Sequence, residues 1–214
     1  MFTKHTIDYS VYLVTEKYDG KNEATFLNKL EAALKGGVTL VQLREKNLPT
    51  REFYKLALKV KTLTAAYNVP FIVNDRLDIA LAVDADGLHI GQKDLPADVA
   101  RRVLGNDKIL GVSTETVEQA QEAAASGADY LGVGAVFHTT TKADATSITM
   151  EDLHLIHQAV SLPIVAIGGI TLDNVSQINR ADIAGVAVVS AILSAAQPQE
   201  AAKQFLDYFQ KQTF

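Results

Sequence analysis

Short runs of consecutive apolar residues alternate with amphipathic stretches along the whole chain, and this alternation constrains the fold more than any other feature. The runs cover residues 11–14, 38–43, 71–73, 87–90, 109–112, 130–133, 164–167 and 185–189. They are apolar at successive positions rather than at every second one, the pattern of a strand buried on both faces. Helical patterns separate them, over 24–35, 50–67 with Thr50 as its cap, 77–83, 96–104, 116–126, 150–160 and 172–179. A last helix follows the eighth run and reaches Gln210. Strands and helices in strict alternation imply an all-parallel sheet. Eight units favour closure, so the expected class is α/β, a single (β/α)8 TIM barrel over residues 1–214. A doubly wound open sheet is the rival.

Polar clusters sit directly after most of the apolar runs. They are Gln42-Leu43-Arg44-Glu45-Lys46, Asn74-Asp75, Asp94, Ser113 and Thr139-Thr140-Thr141-Lys142. The last two runs end instead in Gly168-Gly169 and in Val189-Ser190. In a parallel barrel every strand end opens on the same mouth, so these scattered residues would meet at one site. Cations, paired carboxylates, hydroxyls and glycine amides together suit a metal-bound phosphorylated substrate.

Composition narrows the partners. The net charge of -5 gives no long-range attraction to nucleic acid or to an anionic membrane. Phosphate binding must then come from locally placed groups. The chain has no cysteine, which removes disulfide and thiolate chemistry and fits a cytoplasmic protein. Residues 1–10 lack a signal-type apolar core, and the longest small or apolar stretch, 183–196, is too short to span a bilayer.

Each cluster has a chemical reading. Asp75 and Asp94, at or just after neighbouring strand ends, can share one Mg²⁺ and leave positions open for water and phosphate oxygens. Either aspartate taken alone would read as a helix cap. Arg44 offers a two-pronged phosphate grip, while Lys46 and Lys142 are movable point charges. Gly168-Gly169 with Ser190 resembles the phosphate site of barrel enzymes, where backbone amides approach an oxyanion. The threonine-rich stretch after strand six is long for a strand-to-helix loop and suggests a lid. The five histidines show no metal-ligand spacing. His89 reads as a packed barrel residue, His154 and His157 as an outer helix face, and His138 as the one histidine to test. No dinucleotide fingerprint or nucleophile elbow occurs.

These residues carry a family resemblance. The stretches Val41-Gln-Leu-Arg-Glu-Lys46, Val73-Asn-Asp-Arg76, Ala85-Asp-Gly-Leu-His-Ile-Gly-Gln-Lys-Asp-Leu-Pro96, Gly111-Val-Ser113, Phe137 to Lys142, Ala166-Ile-Gly-Gly-Ile170 and Val188-Val-Ser190 resemble thiamine-phosphate synthases over nearly the full chain. The resemblance implies condensation of a pyrimidine diphosphate with a thiazole phosphate, releasing diphosphate. It implies that Gln42, Leu43, Arg44, Glu45, Lys46, Asn74, Ser113 and Lys142 hold the first substrate. Arg44, Lys46, Ser113 and Lys142 are then the catalytic set, and Asp75 and Asp94 ligate one Mg²⁺ per subunit. Thr139, Thr140, Thr141, Gly169, Val189 and Ser190 would hold the second substrate.

Two phosphorylated small molecules are thus the expected partners, with no nucleic acid and no membrane. The oligomeric state is open, a homo-oligomer included. Glu115, Ala135 and His138 depart from the commoner family pattern. A thiazole tautomerase-type isomerase and a non-catalytic metabolite-binding relative are the alternative functions.

Overall fold

The structure is a computed structural model that describes residues 6–18, 20–139 and 147–211. Its strands are β1 (Val11–Val14), β2 (Leu40–Leu43), β3 (Phe71–Asn74), β4 (Gly87–Ile90), β5 (Ile109–Thr114), β6 (Tyr130–Val133), β7 (Ile164–Ile167) and β8 (Gly185–Val188). All neighbours pair in parallel, in the order β1 to β8. The pairing of β1 with β8, Val11 against Val186 and Leu13 against Val188, closes the barrel. An open sheet would leave those two strands as edges, so the TIM barrel expectation holds and the rival fails.

The helices are α1 (Glu23–Lys35), α2 (Thr50–Ala66), α3 (Leu77–Ala82), α4 (Ala97–Leu104), α5 (Val117–Ala125), α6 (Met150–Ala159), α7 (Ser190–Leu193) and α8 (Pro198–Gln210). Local chemistry sets several starts. The Asn22 side chain accepts from the Thr25 amide, and the Thr116 hydroxyl accepts from the Gln119 amide. At α6, Thr149 and Asp152 form a reciprocal capping box. Thr50 is not a cap: it is the first residue of α2, behind Pro49, and its hydroxyl accepts from Arg76 Nη2 at 3.0 Å.

Strict alternation breaks down after β7. The helix expected over 172–179 is replaced by two 3₁₀ turns, Val175–Gln177 and Arg180–Asp182. Asparagine side chains compete for the backbone groups a helix would use. The Asn174 side chain accepts from the Thr171 amide at 2.8 Å and donates to the Gly169 carbonyl at 2.9 Å. The Asn179 side chain accepts from the Ala181 amide. The last helix is also split in two, because Pro198 opens α8 and disfavours helical backbone at Gln197 before it.

The core lies in two layers. Tyr12, Val14, Leu40, Ile72, Tyr130, Val165 and Ala187 fill the barrel interior. Val11, Leu13, Val41, Leu43 and Val73 point outward and pack with Leu30, Phe53, Leu56 and Phe205 of the helices. Successive side chains of a strand point to opposite faces, so one strand feeds both layers. Burying each full-sized aliphatic side chain contributes roughly 1.5–3 kcal/mol. Aspartates tie the end remote from the mouth: Asp86 accepts from the Phe71 amide at 2.8 Å, and Lys108 pairs with Asp84 at 2.7 Å.

Candidate active site

The period of two decides which residues of the β2 cluster reach the mouth. Leu40 faces the lumen and Val41 the helices, so Gln42 follows Leu40 inward, and Arg44 and Lys46 lie just past the strand end. These three line a cavity of about 750 Å³ at the C-terminal end of the barrel. Leu43 and Glu45 do not line it. Leu43 is fully buried in the outer layer. The Glu45 carboxylate accepts from the Tyr18 amide at 2.6 Å, and burial, its largest influence, pushes its pKa up. Of the five residues of this cluster expected to hold the first substrate, Leu43 and Glu45 thus turn their side chains away from the cavity.

Every other described candidate borders the cavity. Asn74, Asp75 and Asp94 come from the ends of β3 and β4, Ser113 from β5, and Thr139 from the segment after β6. Gly169, Val189 and Ser190 come from the ends of β7 and β8. Thr140, Thr141 and Lys142 lie outside the described residues. Gln92, Glu115 and His138 also line the cavity. Gln92 donates to the Ser113 carbonyl at 2.7 Å, which ties the β4 and β5 ends together. Arg76 instead pairs with Asp78 at 2.6 Å and lies over the Phe53 ring, so it packs between helices.

The carboxylate pair has an unusual electrostatic setting. Asp75 sits at φ 58°, the left-handed region that aspartate tolerates better than most residues. Its amide donates to the His89 carbonyl at 2.8 Å, locking the elbow between β3 and α3. The Asp94 carboxylate accepts from the Gly91 amide at 2.8 Å. Burial, foremost, raises the Asp94 pKa, and the neighbouring Asp75 carboxylate raises it further, against the Gly91 amide and the Lys46 ammonium. The Lys46 ammonium forms an ion pair with Asp75. Two carboxylates thus stand side by side against their repulsion, with the Lys46 ammonium paired to one of them.

Across the cavity, Gly168 and Gly169 have φ of 104° and 62°. A Cβ on Gly169 would also collide with the His138 carbonyl oxygen. The double glycine is thus required both by backbone conformation and by the close passage of residues 135–138. Ser190 begins α7, whose N-cap, Val189, supplies no side-chain hydrogen bond. Within this short turn the Val189 carbonyl accepts from the Ile192 and Leu193 amides.

A closed (β/α)8 barrel whose strand ends gather cations, carboxylates, hydroxyls and glycines around one cavity defines a barrel enzyme acting on small molecules. A family model described as thiamine monophosphate synthase matches residues 11–192. The chain is 52% identical over 205 residues to a thiamine-phosphate synthase of Methanobrevibacter smithii, covering 96% of this chain and 97% of that one. It is 54% identical over 199 residues to one of Alkaliphilus oremlandii, covering 93% and 95%. A solved thiamine phosphate pyrophosphorylase from Pyrococcus furiosus superposes with a TM-score of 0.86 at 38% identity, covering 96% of this chain and 97% of that chain. The chain belongs to the thiamine monophosphate synthase family. Membership carries thiamine-phosphate synthase activity, a transferase reaction that forms thiamine phosphate. No helix among the described residues is long and apolar enough to cross a membrane.

Proposed function

We propose that residues 1–214 act as one cytoplasmic catalytic domain that joins a 4-amino-2-methylpyrimidine carrying a diphosphooxymethyl group to a thiazole carrying a phosphooxyethyl group. The observation that carries this reading is the Asp75–Asp94 carboxylate pair beside Lys46, facing Gly168-Gly169 and Ser190 across one cavity. The first half suits a metal-bound diphosphate and the second a monophosphate.

Asp75 and Asp94 would hold one Mg²⁺. The fit rests on their mutual repulsion, which a dication relieves. Among the described residues no cluster of three or more His, Cys, Asp or Glu side chains could hold a metal. Mg²⁺ suits a site with few protein ligands, since it commonly binds one or two carboxylates and completes its shell with water and phosphate oxygens. Bound there, it would supply charge neutralisation for the leaving diphosphate.

The chain's own residues do the rest. Arg44 and Lys46 grip the diphosphate and stabilise charge that grows on it as the methylene carbon–oxygen bond breaks. The electron pair of that bond leaves with the diphosphate. The thiazole nitrogen lone pair then forms the new carbon–nitrogen bond. Gly169, Val189 and Ser190, with Thr139, hold the thiazole phosphate so that this nitrogen faces the methylene carbon. Ser113 and Asn74 orient the pyrimidine, and Thr140, Thr141 and Lys142 complete the two grips. No protein nucleophile is needed.

The test is formation of thiamine phosphate by purified protein from the two substrates, with and without Mg²⁺. Product that depends on the metal supports the reading. No product with metal present, despite tight binding of both phosphates, overturns it.

A further inference from the structure

Below the mouth, five side chains from five strands form one continuous hydrogen-bonded chain. Gln42 Nε2 donates to the Tyr12 hydroxyl at 2.7 Å, and the Tyr12 and Tyr130 hydroxyls lie 2.7 Å apart. The Tyr130 hydroxyl lies 2.8 Å from His89 Nδ1, and His89 Nε2 lies 2.9 Å from Ser113 Oγ. Tyr12 is 1% exposed, Tyr130 is fully buried and Gln42 is 3% exposed. The last member, Ser113, borders the cavity.

The sequence makes room for this chain at one position. Gly111 lies in register between His89 on β4 and Tyr130 on β6. A Cβ on Gly111 would occupy the space of the Tyr130 ring and hydroxyl. With glycine there, the His89 and Tyr130 rings approach to 5.5 Å between centroids.

Each link carries one proton, so the chain has two complete proton orders. In one, Gln42 donates to Tyr12, Tyr12 to Tyr130, Tyr130 to His89 Nδ1, and His89 Nε2–H to Ser113. In the other, the Gln42 carbonyl faces Tyr12 and every link is reversed. A mixed order strands a buried hydroxyl proton or sets two donors face to face. The structure turns the Gln42 amide nitrogen toward Tyr12, and an amide nitrogen cannot accept. Burial raises the pKa of both tyrosines, which keeps their hydroxyl protons in place to be ordered.

We propose that this chain is a one-way proton-ordering device that fixes His89 as the Nε2–H tautomer. Ser113 Oγ then accepts from His89 and turns its own proton into the cavity, toward an acceptor atom of the substrate. Tyr130 and His89 are positioning residues that act through Ser113. A donor oriented before substrate arrives needs no reorganisation at the moment of reaction. The proposal rests on the reading that Ser113 touches the first substrate.

The test begins with nitrogen-15 NMR of the histidine rings in substrate-free wild-type protein, the His89 signals being assigned by their loss in His89→Gln. The expected result is a protonated Nε2 and a bare Nδ1. A proton on Nδ1, in either the neutral or the cationic ring, overturns the proposal without any variant having to fold. Because no substrate is present, this outcome is separate from failure of the transferase reading. The second arm is kinetic. Tyr130→Phe should lower kcat about tenfold, the worth of one hydrogen bond. In a Ser113→Ala background the same change should have almost no further effect. An equal loss in both backgrounds means that Tyr130 serves structure alone and overturns the proposal.

Discussion

The Lys46 ammonium is paired with the Asp75 carboxylate across the ends of β2 and β3. Both side chains border the same cavity, and Asp75 also faces Asp94. The proposed reaction gives Lys46 two tasks: to offset the paired carboxylates and to meet the leaving group. Its side chain is 49% exposed, so it contributes little to folding. Lys46→Ala should leave the melting temperature near wild type and lower kcat/KM at saturating Mg²⁺ by about 100-fold. Steady-state kinetics beside a thermal melt checks both parts.

Asp94→Asn removes one of the two mutually repelling charges while keeping an acceptor for the Gly91 amide. The apparent affinity for Mg²⁺ in the coupled assay should fall by about tenfold or more, as commonly follows loss of charge around a metal site. Stability should not fall, because a like-charge conflict between two half-buried carboxylates has been relieved. A titration of rate against Mg²⁺ concentration reads the first effect, and urea unfolding reads the second.

Gly169→Ala attacks the opposite half of the mouth. The new methyl group would meet the His138 carbonyl oxygen at a position whose φ is already 62°. The segment over 135–138 must shift, so KM for the thiazole phosphate should rise while KM for the pyrimidine diphosphate stays close to wild type. Initial rates with each substrate varied in turn separate the two constants. An equal rise in both would contradict the division of the mouth into two halves.

Glu45 provides a prediction in pH. Its folded pKa is raised, chiefly by burial. A raised carboxyl contributes stability that is present below the unfolded pKa, about 4.3 for glutamate. That stability is lost as pH rises through the folded value. The stability difference between wild type and Glu45→Gln, which keeps an acceptor for the Tyr18 amide, should therefore shift against wild type as pH rises across this window. Urea midpoints measured across the window supply the comparison.

Neighbouring residues show how much the sequence could tell. Leu43 lies within a polar cluster and next to Gln42, yet faces the opposite side of the strand. The alternation that separates them was present in the sequence, and it turns the Leu43 side chain outward once Gln42 is placed inside. Strands β1, β4, β6 and β7 match their apolar runs to the residue, because abrupt polar or glycine boundaries end them. The missing helix after β7 depended on asparagine side chains finding particular amides, a choice that periodicity does not record. The role of Gln92, and the contact of His89 with Ser113, needed the register of β4 against β5, which only the folded barrel supplies.

The claim at the centre of this account is that Asp75 and Asp94 hold the cation that meets the leaving diphosphate. Anomalous diffraction from crystals grown with Mn²⁺ and inorganic diphosphate tests it most directly. The expected result is a metal peak in contact with both carboxylates and with diphosphate oxygens, the latter lying on the side of Arg44 and Lys46. A metal–diphosphate complex bound in the cavity by neither aspartate would contradict it.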